Sequence, residues 1–128
     1  MAQRIPLIYV ADDDDATLEL VEAFLSRDGL EVTGFMDAEQ LIAAIPTRRP
    51  DAILLDVRIP GQSGLDALRA LKESDHADIP VLMLTGDGRL DRIVQAMQLG
   101  ATGYVMKPFD GPKLVGEVRA MLKSGRPL

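Results

Sequence analysis

"IPLIYVADDDDATLELVEAFLSRDG", residues 5–29, carries two kinds of order on either side of four aspartates. Residues 5–11 are apolar without polar alternation, the pattern of a short strand buried on both faces. From Ala16 onward the apolar residues recur at helical spacing, and Gly29 is well placed to end the helix. A strand buried on both faces that runs straight into a helix is the first half of a parallel crossover unit. Between the two, Asp12 to Asp15 set four like charges side by side. They repel one another unless something positive holds them.

The same alternation repeats along the chain. "LEVTGF" (30–35) is β-rich, and "DAEQLIAAI" (37–45) reads as a short helix with Asp37 as N-cap and Pro46 as its stop. "DAILLD" (51–56) is another buried strand, followed by helical "GLDALRALKES" (64–74). "IPVLMLT" (79–85) is a strand entered through Pro80, where a missing N–H is harmless. "RLDRIVQAMQLG" (89–100) is a helix closed by Gly100, and "TGYVM" (102–106) a last short strand. "DGPKLVGEVRAML" (110–122) is a last helix, with Asp110 as N-cap and Pro112 in its first turn. Strands alternating with helices imply a parallel sheet covered on both faces. The expected fold is α/β: a doubly wound, five-stranded parallel sheet in the flavodoxin-like order 2-1-3-4-5.

The 128 residues make one domain with room for one good core, residues 124–128 reading as a tail or the start of a linker. No apolar run approaches the roughly 20 residues of a membrane span and no signal peptide opens the chain, so a soluble, cytoplasmic domain away from the membrane is expected. There is no cysteine, which excludes disulfides, thiolate chemistry and cysteine zinc sites. The single histidine, His76, sits in polar "ESDHADIP" and reads as solvated. Net charge is −6 and the only adjacent basic pair is Arg48–Arg49, so direct nucleic-acid binding is not expected. Met83, Met97, Met106 and Met121 fall at core periodicity.

In such sheets ligands bind beyond the carboxyl ends of the strands, where strand order reverses. Asp12 and Asp13 follow the first strand, Asp56 ends the third, Thr85 ends the fourth, and Lys107 lies just past the fifth. With the first and third strands adjacent, Asp12, Asp13 and Asp56 converge. Three such carboxylates do not all stay ionised without a cation. Hard oxygen ligands alone favour Mg²⁺ or Mn²⁺. With a lysine and a hydroxyl beside it, the cluster reads as a phosphoryl-transfer centre. Asp14 and Asp15 are expected in the first turn of the helix, where the helix dipole favours anions, Asp15 being a candidate N-cap.

"YVADDDDATLELV", "RPDAILLDVRIPGQSGLDALRAL", "PVLMLTGDG" and "LGATGYVMKPFD" resemble the receiver domain of bacterial two-component response regulators. The match runs from about Ile5 to Lys123. It includes the acidic pair, Asp56 with Pro60 four and Gly64 eight residues on, the strand-end Thr85, and Lys107–Pro108. The resemblance implies that Asp56 accepts a phosphoryl group from a sensor histidine kinase, a histidine phosphotransfer protein or a small acyl phosphate. It implies Mg²⁺ on Asp13, Asp56 and the backbone carbonyl of Arg58, with Asp12 acting mostly through water. Lys107 would pair with the phosphoryl group, Thr85 would turn its hydroxyl onto it, and Tyr104 would swing inward behind. The Lys107–Pro108 peptide would be cis. The face built by the fourth helix, fifth strand and fifth helix would meet an output domain or partner, or form a phosphorylation-dependent homodimer. "TGDGRLDRIVQAM" resembles receivers attached to helix-turn-helix outputs.

Other readings compete. Asp13, Asp15 and Thr17 fit the Asp-x-Asp-x-Thr pattern of haloacid-dehalogenase-like phosphatases, with Asp13 as nucleophile, but that leaves Asp56 unexplained. A degenerate, non-phosphorylated receiver would act only as a binding module. A calcium EF-hand fails, because its Gly and terminal Glu fall on Thr17 and Ala23. Arg58 and Asp87 are expected to pair at the rim and narrow the entry of water. On the first helix, Leu20, Val21, Phe24 and Leu25 are expected to share one stripe, with Leu18 at its edge as core margin or a kinase-docking contact.

Overall fold

The computed structural model describes residues 4–58, 63–86 and 89–124. Asp87 and the tail residues 125–128 lie outside them. In chain order the elements are β1 (Leu7–Ala11), α1 (Asp15–Arg27), β2 (Glu31–Phe35), α2 (Ala38–Ala44), β3 (Ala52–Asp56), α3 (Gly64–Lys72), β4 (Val81–Thr85), α4 (Leu90–Gln98), β5 (Gly103–Met106) and α5 (Gly111–Ser124). All pairings are parallel and the sheet order is β2-β1-β3-β4-β5, as the alternation predicts.

The apolar runs have a simple cause. Successive strand residues point to opposite faces, and both faces carry helices, so every position must be apolar. Leu7, Tyr9, Ala11, Ile53, Leu55, Val81 and Met83 feed one core with α2 and α3 residues such as Leu41 and Leu68. Ile8, Val10, Leu54, Leu82, Leu84 and Val105 feed the other with Val21 and Leu25 of α1 and Leu114 and Val118 of α5. Each fully buried aliphatic side chain contributes about 1.5–3 kcal/mol. Gly29 and Gly100 follow α1 and α4 at φ 86 and 104, the left-handed region that closes a helix.

Four expectations are corrected. The N-cap of α1 is Asp14, not Asp15: its carboxylate accepts from Ala16 N at 3.3 Å and from Thr17 Oγ1 at 2.8 Å. Leu20 is 51 % exposed, and the buried stripe of α1 is Thr17, Val21 and Leu25. Leu18 is half-buried, its methyls 3.4 and 3.6 Å from where a Cβ of Gly34 would stand, as a residue at the core margin would be. Met97 is exposed, because α4 turns Leu90, Val94 and Met97 outward and buries only Ala96. His76 is half-buried rather than solvated.

Arg48 and Arg49 are occupied by Glu31, at 2.6 Å, and by Asp78. No described helix is long and apolar enough to cross a membrane.

The Thr17 hydroxyl and the Ala16 N–H hold Asp14 below the usual aspartate range. A depressed folded value means that this cap stabilises the fold above the unfolded aspartate range and loses that contribution as pH falls through the folded one. Asp14→Asn keeps a capping oxygen but cannot titrate. In acid melts it should flatten the loss of stability over that window; an unchanged acid slope would refute the assignment.

Candidate phosphoacceptor site

Backbone hydrogen bonds bring the chemistry together. Asp12 follows β1, and its N–H donates to Phe35 O at 3.0 Å, pinning it between β1 and β2. Asp56 closes β3 opposite Leu84 of β4, and Val57 N–H continues the ladder to Leu84 O at 3.1 Å. Thr85 ends β4 opposite Met106, and Lys107 N–H donates to Thr85 O at 2.7 Å. The Lys107–Pro108 peptide is cis, as expected. Four strand ends therefore present Asp12, Asp56, Thr85 and Lys107 at one edge of the sheet.

The Lys107 ammonium bridges two carboxylates, at 2.7 Å from Asp12 Oδ2 and 3.0 Å from Asp56 Oδ2. Asp12 is fully buried, and its other oxygen accepts from Asp14 N at 3.0 Å. Asp56 is 6 % exposed, and its Oδ1 accepts from Arg58 N at 3.1 Å. Burial pushes the Asp12 carboxyl above its ordinary value and the charge of Asp56 adds to this, although the Lys107 hydrogen bond works against it. Burial alone would lower the Lys107 ammonium, but its hydrogen bonds to Asp12 and Asp56 hold it above the ordinary lysine value. The ammonium is thus firmly charged.

A pocket of about 310 Å³ opens over this floor, lined by Asp13, Asp56, Arg58, Thr85, Gly86 and Lys107. One carboxylate oxygen from each of Asp12, Asp13 and Asp56 lies within 4.8 Å of the others. Two are buried and Asp13 is exposed. An all-oxygen cluster carrying three formal negative charges against one ammonium fits a hard divalent cation. All five strand-end residues singled out in the sequence meet here.

Tyr104 does not line the pocket; it is 42 % exposed on β5. Its partner in register is Met83, two residues before Thr85, so Tyr104 and Thr85 share a sheet face. Of the rim pair, Arg58 lines the pocket, whereas Asp87 lies outside the described residues.

Two contributors to the site, and one helix cap beside it, were not singled out in the sequence. Arg58 N–H on Asp56 is a backbone contact, which no side-chain pattern announces. Gly86 shows only as a lining residue. Ser63 caps α3 by accepting from Asp66 N at 3.1 Å, and the serine just before a helical run was the signal for it.

The comparisons agree with the geometry. The family model described as the response regulator receiver domain matches residues 8–119. The transcriptional regulatory protein CseB of Streptomyces avermitilis is 37 % identical over 123 residues, 96 % of this chain and 51 % of that protein. The phosphate regulon transcriptional regulatory protein PhoB of Pseudomonas aeruginosa is 36 % identical over 121 residues, 94 % of this chain and 53 % of that protein. The chain thus spans about half the length of these relatives. The crystal structure of the receiver domain of NtrX from Brucella abortus superposes with a TM-score of 0.86 at 33 % identity, covering 91 % of this chain and 98 % of that one. The phosphatase alternative finds no support among them. Its pattern is also otherwise employed here, since Thr17 is buried and its hydroxyl donates to the helix cap Asp14. By sequence, fold and the convergence of its strand-end residues, the chain belongs to the response regulator receiver domain family of two-component systems.

Proposed function

We propose that this domain takes a phosphoryl group onto Asp56 from a histidine kinase or histidine phosphotransfer protein, and that the change at Asp56 controls an output partner. The observation that carries the reading is one ammonium held between two strand-end carboxylates at the floor of an open pocket. An Asp56 oxygen attacks phosphorus. The bond from phosphorus to the donor's imidazole nitrogen, or to an acyl oxygen, breaks, and the leaving group keeps the electron pair. Asp56 needs no base, because it is already an anion. It needs relief from the negative charge of the incoming phosphoryl oxygens, and Lys107 supplies fixed positive charge beside it.

Arg58 N–H on Oδ1 fixes the rotation of the Asp56 carboxylate. The Thr85 hydroxyl, at the end of the adjacent strand, receives a phosphoryl oxygen. Asp12, Asp13, Asp56 and the Arg58 carbonyl would hold Mg²⁺ or Mn²⁺, which adds positive charge at the same oxygens. The same groups assist loss of the phosphoryl group to water, so the domain helps its own phosphorylation and dephosphorylation while remaining a signalling domain.

Thr85 is buried and Tyr104, on the same sheet face, is turned out. Drawing the Thr85 hydroxyl toward the phosphoryl group frees space for Tyr104 to move inward, shifting a two-state equilibrium. The change reaches the surface formed by α4, β5 and α5, where Leu90, Val94 and Met97 lie exposed. An output domain, a partner or a second copy meets that face. The relatives named as transcriptional regulators are about twice as long, which supports an output that acts in transcription. The chain itself, at net charge −6, is no nucleic-acid binder. Phosphoryl donors of this kind act in the cytoplasm, which supports a cytoplasmic location.

The test is intact mass after acetyl phosphate and Mg²⁺. A second expectation concerns the metal. At 100 times its dissociation constant, Mg²⁺ should stabilise the fold by about 2.7 kcal/mol, read as a rise in Tm. Asp13 is exposed, so Asp13→Asn should fold normally and lose most of that rise. An equal Mg²⁺ shift in Asp13→Asn would remove Asp13 from the metal site.

A further inference from the structure

The first residue of α3 lies directly against the end of β3. A Cβ built on Gly64 would stand 2.0 Å from Asp56 O and 2.9 Å from both Asp56 C and Val57 Cα. Real Cβ contacts essentially never fall below 3.0 Å, and the obstacle here is backbone rather than a side chain that can turn aside. The Gly64 N–H meanwhile donates to Val57 O at 2.8 Å. One peptide unit is thus held to the strand end by a hydrogen bond and set against it by direct contact.

The segment it touches is the one that bears the chemistry. Asp56 supplies the carboxylate, and Arg58 supplies the N–H that fixes Oδ1. Val57, between them, is the residue Gly64 grips. Glycine is also the poorer choice at a helical position, where alanine is the best former. Local helix stability therefore does not explain a glycine here, whereas the close approach does.

We propose that Gly64 is a positioning residue for phosphoryl transfer: its backbone contact sets where the Asp56 carboxylate and the Arg58 backbone groups stand. The proposal rests on Asp56 being the acceptor. Relieving a 2.0 Å contact to an ordinary one of 3.4 Å parts the two backbones by about 1.4 Å. A misplacement of that size can cost on the order of 10²-fold in rate.

The test compares the whole wild-type chain with Gly64→Ala and with Gly116→Ala, whose added methyl meets nothing within 4 Å. Three quantities are read: the phosphorylation rate with saturating acetyl phosphate and Mg²⁺, the acetyl phosphate concentration at half-maximal rate, and hydrogen exchange of the Arg58 amide in metal-free protein. Gly64→Ala should fold, lose roughly 10- to 100-fold in rate with the half-maximal concentration little changed, and exchange the Arg58 amide faster. Gly116→Ala should match wild type in all three.

A folded Gly64→Ala protein with wild-type rate and wild-type Arg58 protection overturns the proposal. So does a Gly64→Ala protein that folds only with added sucrose and then reacts at the wild-type rate per folded molecule, since the contact is then structural alone. If wild type itself forms no adduct, the acceptor reading fails separately, and the Arg58 amide still reports whether Gly64 holds the strand end.

Discussion

Asp56→Asn should show no gain in intact mass under conditions where wild type gains one phosphoryl group, about 80 Da. The substitution changes one atom in a site that otherwise persists. Lys107 remains anchored by Asp12 at 2.7 Å, and an asparagine carbonyl can still accept from either Arg58 N or Lys107 Nζ. The fold should therefore survive, with an unchanged far-UV spectrum. The carboxylate charge and the nucleophilic oxygen do not survive: an amide nitrogen has its lone pair in the π system, and a neutral amide is a poor ligand for a hard cation. Chelating Mg²⁺ should suppress the wild-type adduct as well. An adduct of equal size on Asp56→Asn would move the acceptor elsewhere. Absence of any adduct on wild type, with beryllofluoride also failing to bind, would favour a domain that only docks partners.

The fold was legible because its three central strands are short, apolar and buried on both sides. "LIYVA", "AILLD" and "VLMLT" admit no charged residue before their last position, and β1, β3 and β4 coincide with these runs, whereas edge strand β2, "EVTGF", is only partly buried. The end-points then name the site, because a parallel sheet delivers the C-terminal residues of its strands to one edge. Faces of helices were read less well, for a geometric reason. Leu20 is apolar, yet it lies one residue, about 100° of rotation, from Val21, and on a narrow stripe that turns it to solvent. Met97 shows the same limit on α4, where an apolar face exists but no described element covers it.

The capping aspartate was hidden by repetition. Any of four neighbours can cap, and the deciding signal is Thr17, three residues after Asp14, whose hydroxyl donates back to it. Gly64 was visible only as a spacing. The sequence places it eight residues after Asp56, but a 2.0 Å clearance is a property of two backbones and leaves no trace in side-chain pattern.

Lys107→Ala should separate the structural role of this ammonium from its proposed role in phosphoryl transfer. In the metal-free protein Lys107 offsets the charge of Asp12, which is fully buried, and of Asp56. Breaking a buried pair by removing one partner costs about 3–5 kcal/mol when the orphan stays charged. Asp12, already above its ordinary range, can instead take up a proton, which lowers that cost. The metal-free variant should thus melt earlier than wild type, and by a larger margin as pH rises through the raised Asp12 range, where the orphan must ionise. Mg²⁺ answers to the same carboxylates as the ammonium. It should bind the variant at least as tightly and return most of the lost stability. Catalysis should not be returned with it. The ammonium is fixed 3.0 Å from the Asp56 carboxylate proposed as the nucleophile, and removing one such preorganised donor typically costs about 10²–10³ in rate. The expected outcome at saturating Mg²⁺ is a near-normal Tm with phosphorylation from acetyl phosphate slowed by about 10²-fold. A variant with normal Tm and normal rate would show that Lys107 serves only the empty site. One whose rate falls only in proportion to its unfolded fraction would show that the lysine holds the fold and does not touch the chemistry.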